Sequence, residues 1–245
     1  HIKNMKRIKI LTSKLRTMVP SKINIKKFTK NNIMKAHTAE TLATMTPAKA
    51  IQFLKEGNER FLNNLKYNRN LLSQVNDTKD GQFPFAIILS CMDSRTSSEL
   101  VFDQGIGDIF SLRVAGNVLT DDMIGSMEYA CKHVGTKLIL VLGHSKCGAA
   151  TGACKGGAPG KLGDVLKKFD KSISEVKEEL PGVEQSSTEF IEAVANHNVI
   201  HTMDAILEQS DVLKELFNNG EIGIAGAYYN VDNGNVEFLK EELHD

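Results

Sequence analysis

Two short polar clusters in this chain carry groups able to do chemistry. The first holds Cys91, Asp93 and Arg95 in "SCMDSR"; the second holds His144 and Cys147 in "GHSKCG". Each ends an apolar run, "FAIIL" before the first and "LILVL" before the second. A packed core gains nothing from a carboxylate and a guanidinium at that place, whereas a reaction site at the carboxyl end of a strand uses them. Two thiolates and one imidazole suit zinc, which accepts sulfur and nitrogen in a tetrahedral shell. Three protein ligands leave a fourth position open, as catalytic zinc sites do and structural ones do not. Taken singly the parts are ordinary. A cysteine ending a strand is usually a small buried hydrophobe, a lone His-x-x-Cys is weak, and Asp93 with Arg95 could be a salt bridge capping the strand. Their matched placement is what points to a metal. Gly143 and Gly148 flank the second cluster and are expected to permit its tight turn.

Cys91 and His144 are 53 positions apart, so the fold must bring them together. Strands are expected at 85–90, 108–115 and 137–143, the last a continuous apolar run suited to burial on both faces. Helices are expected at 47–62, opened by Thr46 with Pro47 at the first helical position, at 121–135, closed by Gly135, and at about 161–171, 187–209 and 211–218. The segment "HSKCGAATGACKGGAPG" reads as a small-residue helix start fading into a glycine-rich loop. "IGIAGAYYNVDNGNVEFL" reads as two strands across a turn at Asp232-Asn233-Gly234. Strands alternating with helices imply an α/β fold: a mostly parallel central sheet flanked by helices, with a C-terminal antiparallel hairpin. The strand ends of such a sheet share one rim, where both clusters would meet.

The composition is that of a globular domain. The 245 residues are 41% hydrophobic and 24% charged, with a formal net charge of zero. That balance argues against nucleic acid or a membrane surface as partner. Four cysteines are too few for a disulfide scaffold and fit a reduced, cytoplasmic protein. Residues 1–39 form a basic leader with nine lysines, two arginines and no acid before Glu40. It is expected to be a disordered arm, an organelle-targeting peptide or a remnant of cloning, and the second of these would make the protein organellar. Residues 40–245 are expected to be one domain. Cys131 and Cys154 match no ligand position; the first is expected in a buried helix, the second in a loop. His197 and His201 share a helical face at i, i+4, but no third ligand is evident, and they read as packing or polar surface.

The two clusters resemble the Cys-x-Asp-x-Arg and His-x-x-Cys motifs of the β-class carbonic anhydrases. The likeness extends to "GQFPFAIILSCMDSR", "FDQGIGDIFSLRVAGN", "GSMEYA" and "GAYYNVDNGNVEFL", and covers about residues 45–245. It implies zinc held by Cys91, His144 and Cys147, one ion per chain, and a second layer formed by Asp93 and Arg95. It implies reversible hydration of carbon dioxide to bicarbonate and a proton, with hydroxide generated on the zinc. Gln82, Phe110 and Tyr129 fall where that family lines its substrate pocket, and His133 where some members have a proton-relay histidine. Ala115 stands where the family usually has a branched residue. The resemblance also implies a homodimer or homotetramer, with the helix at 47–62 crossing to the partner. Some relatives close the site by swinging the aspartate onto zinc, favoured by bicarbonate in a pocket built on a tryptophan and an arginine. Arg113 matches that arginine, but Ile88 replaces the tryptophan and is expected to be core, so the open arrangement is expected, with Asp93 held by Arg95. Two other readings remain: a hydrolase of the same fold acting on carbon disulfide or a similar small linear molecule, and a catalytically silent zinc module serving assembly.

Overall fold

A computed structural model describes residues 34–244. The reading of the basic leader falls mostly on residues 1–33, outside the described residues. Residues 34–38 are tied to the domain: the Met34 N–H donates to the Asn68 carbonyl at 3.1 Å, and the His37 N–H donates to Asp108 Oδ1 at 3.3 Å.

Among the described residues five strands form one sheet: β1 (Ala86–Ser90), β2 (Ile109–Arg113), β3 (Leu138–His144), β4 (Gly223–Tyr229) and β5 (Val236–Glu242). Their order is β2-β1-β3-β4-β5. The first three pairings are parallel and β4–β5 is antiparallel, as expected for this class of fold. Every residue of β1 and β3 is buried, which explains their unbroken apolar runs.

Successive side chains of a strand point to opposite faces, and the core divides accordingly. Ala86, Ile88, Leu138 and Leu140 pack on one side with Ala50, Ile51 and Leu54 of α2 (Pro47–Leu62). Ile87, Leu89, Ile139 and Val141 pack on the other with Val199, Met203 and Ile206 of α9 (Thr188–Gln209) and Leu213 and Leu216 of α10 (Asp211–Asn218). The remaining helices are α1 (Ala39–Ala43), α3 (Leu71–Thr78), α4 (Ser98–Val101), α5 (Asp121–Glu128), α6 (Gly148–Cys154), α7 (Gly160–Leu166) and α8 (Asp170–Glu179). No helix among the described residues is long and apolar enough to cross a membrane.

Thr46 caps α2 as expected, its side chain accepting from the Lys49 N–H at 3.2 Å. The helix packs Ala50 and Leu54 against its own sheet at 0% exposure and leaves Phe53 and Leu62 exposed. A second tie is the buried Arg60, whose Nε donates to Asp103 Oδ2 at 2.6 Å. A charge pair so enclosed is costly to break.

Two helices differ from expectation. The helix expected over 121–135 is α-helical only to Glu128; Tyr129–Val134 continue as a π-helix, ended by Gly135 at φ 88°. The helix expected at 161–171 is α7, a 3₁₀ turn at Lys167–Phe169, then α8, which runs on to Glu179. The segment from Gly148 is the short helix α6, which gives way after Cys154 to a glycine-rich loop, as expected.

Candidate metal centre and active site

Register brings the two polar clusters together. Ser90, the last residue of β1, pairs with Leu142 of β3 and Arg113 of β2. Cys91 therefore leaves the sheet beside Gly143 and His144. Cys147 follows one turn later as the residue before α6. Ligand atoms of Cys91, His144 and Cys147 lie within 4.8 Å of one another, and all three residues are buried.

The hydrogen bonds of His144 fix its tautomer. Its Nδ1 lies 2.9 Å from the Ser145 carbonyl oxygen. A carbonyl only accepts, so Nδ1 carries the proton and Nε2 holds the lone pair. That Nε2 is buried with no hydrogen-bond partner. An orphaned acceptor beside two thiols costs free energy unless something binds it, and a divalent ion does. The thiols are also prepared. Cys91 is lowered to about 4, first by the thiol of Cys147 donating to it, with the Gly116 N–H assisting against burial. Cys147 is raised because it donates to Cys91 and is desolvated. The pair thus gives up one proton readily and keeps the second, which a cation would expel. This donor set fits zinc.

Asp93 stands beside the trio, held by a two-point fork. Arg95 Nε donates to Oδ1 at 2.9 Å and Nη2 to Oδ2 at 2.7 Å. The Arg95 backbone N–H adds a third bond to Oδ1 at 2.9 Å. The guanidinium holds the Asp93 carboxyl well below the usual carboxylate range. The side chain therefore engages Arg95, the ion pair expected. Arg113 acts on the same loop: Nε donates to the Cys91 carbonyl at 3.2 Å and Nη2 to the Asp93 carbonyl at 2.6 Å. Thr96 Oγ1 donates to the same two carbonyls. Ile88 is fully buried core.

Several positioning groups have no signal in the local sequence. Gly116 donates its N–H to Cys91 Sγ at 3.3 Å, and its carbonyl accepts from Asn198 of α9 at 3.0 Å. Gly116 sits at φ 69°, and a Cβ there would lie 2.7 Å from the Phe169 ring. Gly116→Ala is strained and overpacked at once. It is expected to cost more than about 1 kcal/mol of stability, read as a lower urea midpoint with an unchanged slope. Glu192 of α9 accepts the Lys146 N–H at 2.8 Å and the Tyr228 hydroxyl. The turn between His144 and Cys147 has its left-handed residue at Lys146, φ 56°, not at either flanking glycine. Gly143 serves close approach instead: a Cβ there would lie 2.6 Å from Val199 of α9.

The expected pocket residues are not gathered around the trio within one chain. Phe110 and Tyr129 line a cavity with Ile87, Leu112 and Ala130 that none of the cluster residues borders. Gln82 is exposed in the loop before β1. His133 is exposed on the π-helical segment, its ring 6.0 Å from that of Tyr129. Cys131 is buried as expected, and burial pushes its thiol up to about 12. Cys154, expected in a loop, is the buried last residue of α6.

Comparison with known proteins agrees with this geometry. Residues 86–236 match the family profile described as carbonic anhydrase. Carbonic anhydrase 2 of Mycobacterium tuberculosis is 34% identical over 194 residues, 77% of this chain and 90% of that protein. The carbonic anhydrase of Mycolicibacterium smegmatis is 32% identical over 206 residues, 81% and 96% of the two chains. Among solved structures, one from a study of two tetrameric β-carbonic anhydrases of Sordaria macrospora superposes with a TM-score of 0.61 at 25% identity. The match covers 66% of this chain and 83% of that one. The β-carbonic anhydrase CafA of Aspergillus fumigatus shares the fold, with a TM-score of 0.64 at 23% identity over 79% and 88% of the chains. Sequence, register and fold converge on one assignment: this chain belongs to the β-class carbonic anhydrase family.

Proposed function

We propose that this protein interconverts carbon dioxide and water with bicarbonate and a proton, using one zinc ion per chain held by Cys91, His144 and Cys147. The observation that carries this reading is the unpartnered Nε2 of His144 facing two thiols, with a carboxylate locked beside them. Zinc held there supplies the Lewis acidity that lets water act as a nucleophile near neutral pH. Asp93 takes three bonds from Arg95 and keeps one acceptor position free on Oδ2, so it can accept the hydrogen of the attacking water and aim the oxygen lone pair at carbon. Arg95 holds that carboxylate in place through two points of contact, which lysine cannot do. One C–O bond forms, and the proton leaves to solvent and buffer. A purely structural zinc needs no acceptor of this kind beside it. Stopped-flow measurement of proton release from carbon dioxide tests the assignment. Rapid zinc-dependent turnover is the expected result. Hydrolysis of carbon disulfide in its place would move the protein to the related hydrolases, and zinc binding without turnover would leave an assembly module.

The active unit under this proposal is a homodimer, or a homotetramer built from it. Ile87 in the apolar cavity is four residues before Cys91, about 13 Å along a strand. The cavity and the zinc trio of one chain therefore do not share a site, and a second copy is needed to juxtapose them. Among the described residues, β2 is an edge strand with an unpaired side. Near it, Leu71, Leu72, Val75 and Ile106 are exposed, and the Ile106 N–H bonds Gln74 of α3. Sedimentation equilibrium is expected to show a dimer or tetramer at assay concentration. A stable monomer with full turnover would overturn this.

A further inference from the structure

A second cluster lies apart from the cysteine site, on the facing surfaces of α8 and α9. The sequence shows only half of it, His197 and His201 one helical turn apart. The fold supplies the other half. Glu175 and Glu179, one turn apart on α8, meet the two imidazoles. Glu175 Oε2 lies 2.6 Å from His201 Nε2 and 3.4 Å from His197 Nδ1. Glu179 Oε2 lies 3.0 Å from His197 Nε2. One ligand atom each of Glu175, His197 and His201 falls within 4.8 Å of the others.

A further observation distinguishes this from a surface ion pair. The other ring nitrogen of His201, Nδ1, is 2.9 Å from the hydroxyl of Ser172, and Ser172 is buried. A hydroxyl can donate or accept, so Ser172 serves either tautomer. Either way it occupies the inner nitrogen and turns Nε2 toward Glu175. Protein ligands to metals are oriented in this manner, by a hydrogen bond to the nitrogen that does not bind. The histidines keep part of their surface in solvent, 25% for His197 and 17% for His201, so an ion can enter from water.

We propose that Glu175, His197 and His201, with Glu179 as an additional carboxylate, form a second metal site, for a borderline divalent transition ion of the zinc type. The donor set decides the class. Two imidazoles disfavour calcium and magnesium, which take oxygen ligands, and the lack of sulfur separates this site from the cysteine centre. An ion here joins α8 to α9. Val176 of α8 and Val194 of α9 belong to the apolar cluster that covers Cys91 and Cys147, so the ion clamps the layer above the first site without touching it.

The test is a metal count on the whole protein, with zinc as the probe. Protein already carrying its cysteine-bound ion is titrated with zinc by calorimetry, and bound metal is counted by elemental analysis after gel filtration. Wild type is expected to hold two ions per chain and to gain several degrees in Tm with the second. His197→Ala and Glu175→Gln are expected to hold one and to lose the Tm gain, while carbon dioxide hydration stays unchanged, which also shows that the variants fold. Cys147→Ser is expected to lose the first ion and keep the second, so failure of the cysteine-site reading and failure of this one give different counts. Ser172→Ala is expected to weaken the second site about 10- to 100-fold. If wild type and His197→Ala bind the same number of ions with the same Tm response, the cluster is a hydrogen-bonded network alone and the proposal is wrong.

Discussion

His144→Ala is expected to lose zinc and carbon dioxide hydration together. The imidazole is the only nitrogen donor in the trio, and Nε2 has no other work in the structure. Without it two thiols remain, which is fewer protein ligands than a catalytic zinc site uses. The chemical consequence is large. Zinc brings the pKa of water from about 15.7 to about 7, and no other group near the trio can do so. Turnover is therefore expected to fall to the uncatalysed background rather than by a modest factor. Cys91→Ala and Cys147→Ala are expected to behave alike. His144→Ala is the most informative of the three because it leaves both thiols and the Gly116 N–H bond to Cys91 intact. The measurement is bound zinc per chain beside stopped-flow turnover on the same sample. A zinc-free His144→Ala protein that hydrates carbon dioxide at the wild-type rate would end the assignment.

The trio was legible in the sequence for a physical reason. Each cluster ends an apolar run long enough to be a fully buried parallel strand, and such strands end on one rim. Residue types, spacing and topology therefore agree with one another. What was not legible is mostly non-local. Asn198 reaches the Gly116 carbonyl across 82 positions, and Glu192 reaches Lys146 across 46; no pattern in either segment announces this. The carboxylates facing His197 and His201 are hidden in the same way, because pairing of α8 with α9 is a tertiary event. Local readings failed where the usual signal was missing or misleading. Helix α3 has its apolar Leu71, Leu72 and Val75 exposed and only Gln74 buried, so no inward stripe marks it. The left-handed turn residue is Lys146, although glycines stand on both sides. The apolar face of α2 was visible, but a face alone does not say which chain covers it. Ala50, Ile51 and Leu54 pack on the chain's own sheet, while Phe53 and Leu62 of the same helix stay exposed.

Arg95→Ala is expected to keep its zinc and lose most of its turnover, separating the metal from the chemistry. The three proposed ligands are untouched by the change, and Arg113 and Thr96 still pin the carbonyls of Cys91 and Asp93. What goes is the fork. Asp93 is left with only the backbone N–H at residue 95 on Oδ1. Oδ2 then has no side-chain partner, and an unpaired carboxylate beside a cation turns toward it. Carboxylate oxygen is a competent zinc ligand, so the open position closes and the acceptor for the attacking water disappears in one movement. Loss of such a supporting partner typically costs about 10- to 100-fold. Arg95→Lys is expected to rescue little, because a single ammonium cannot hold both oxygens. Arg95 is half exposed, and exposed pairs add little to stability, so the unfolding midpoint is expected to hold while turnover falls. That split separates a positioning role from a structural one. Were the pair only a cap on the strand end, the variant would lose stability and retain its rate; zinc-loaded Arg95→Ala with wild-type turnover would show that Asp93 needs no restraint.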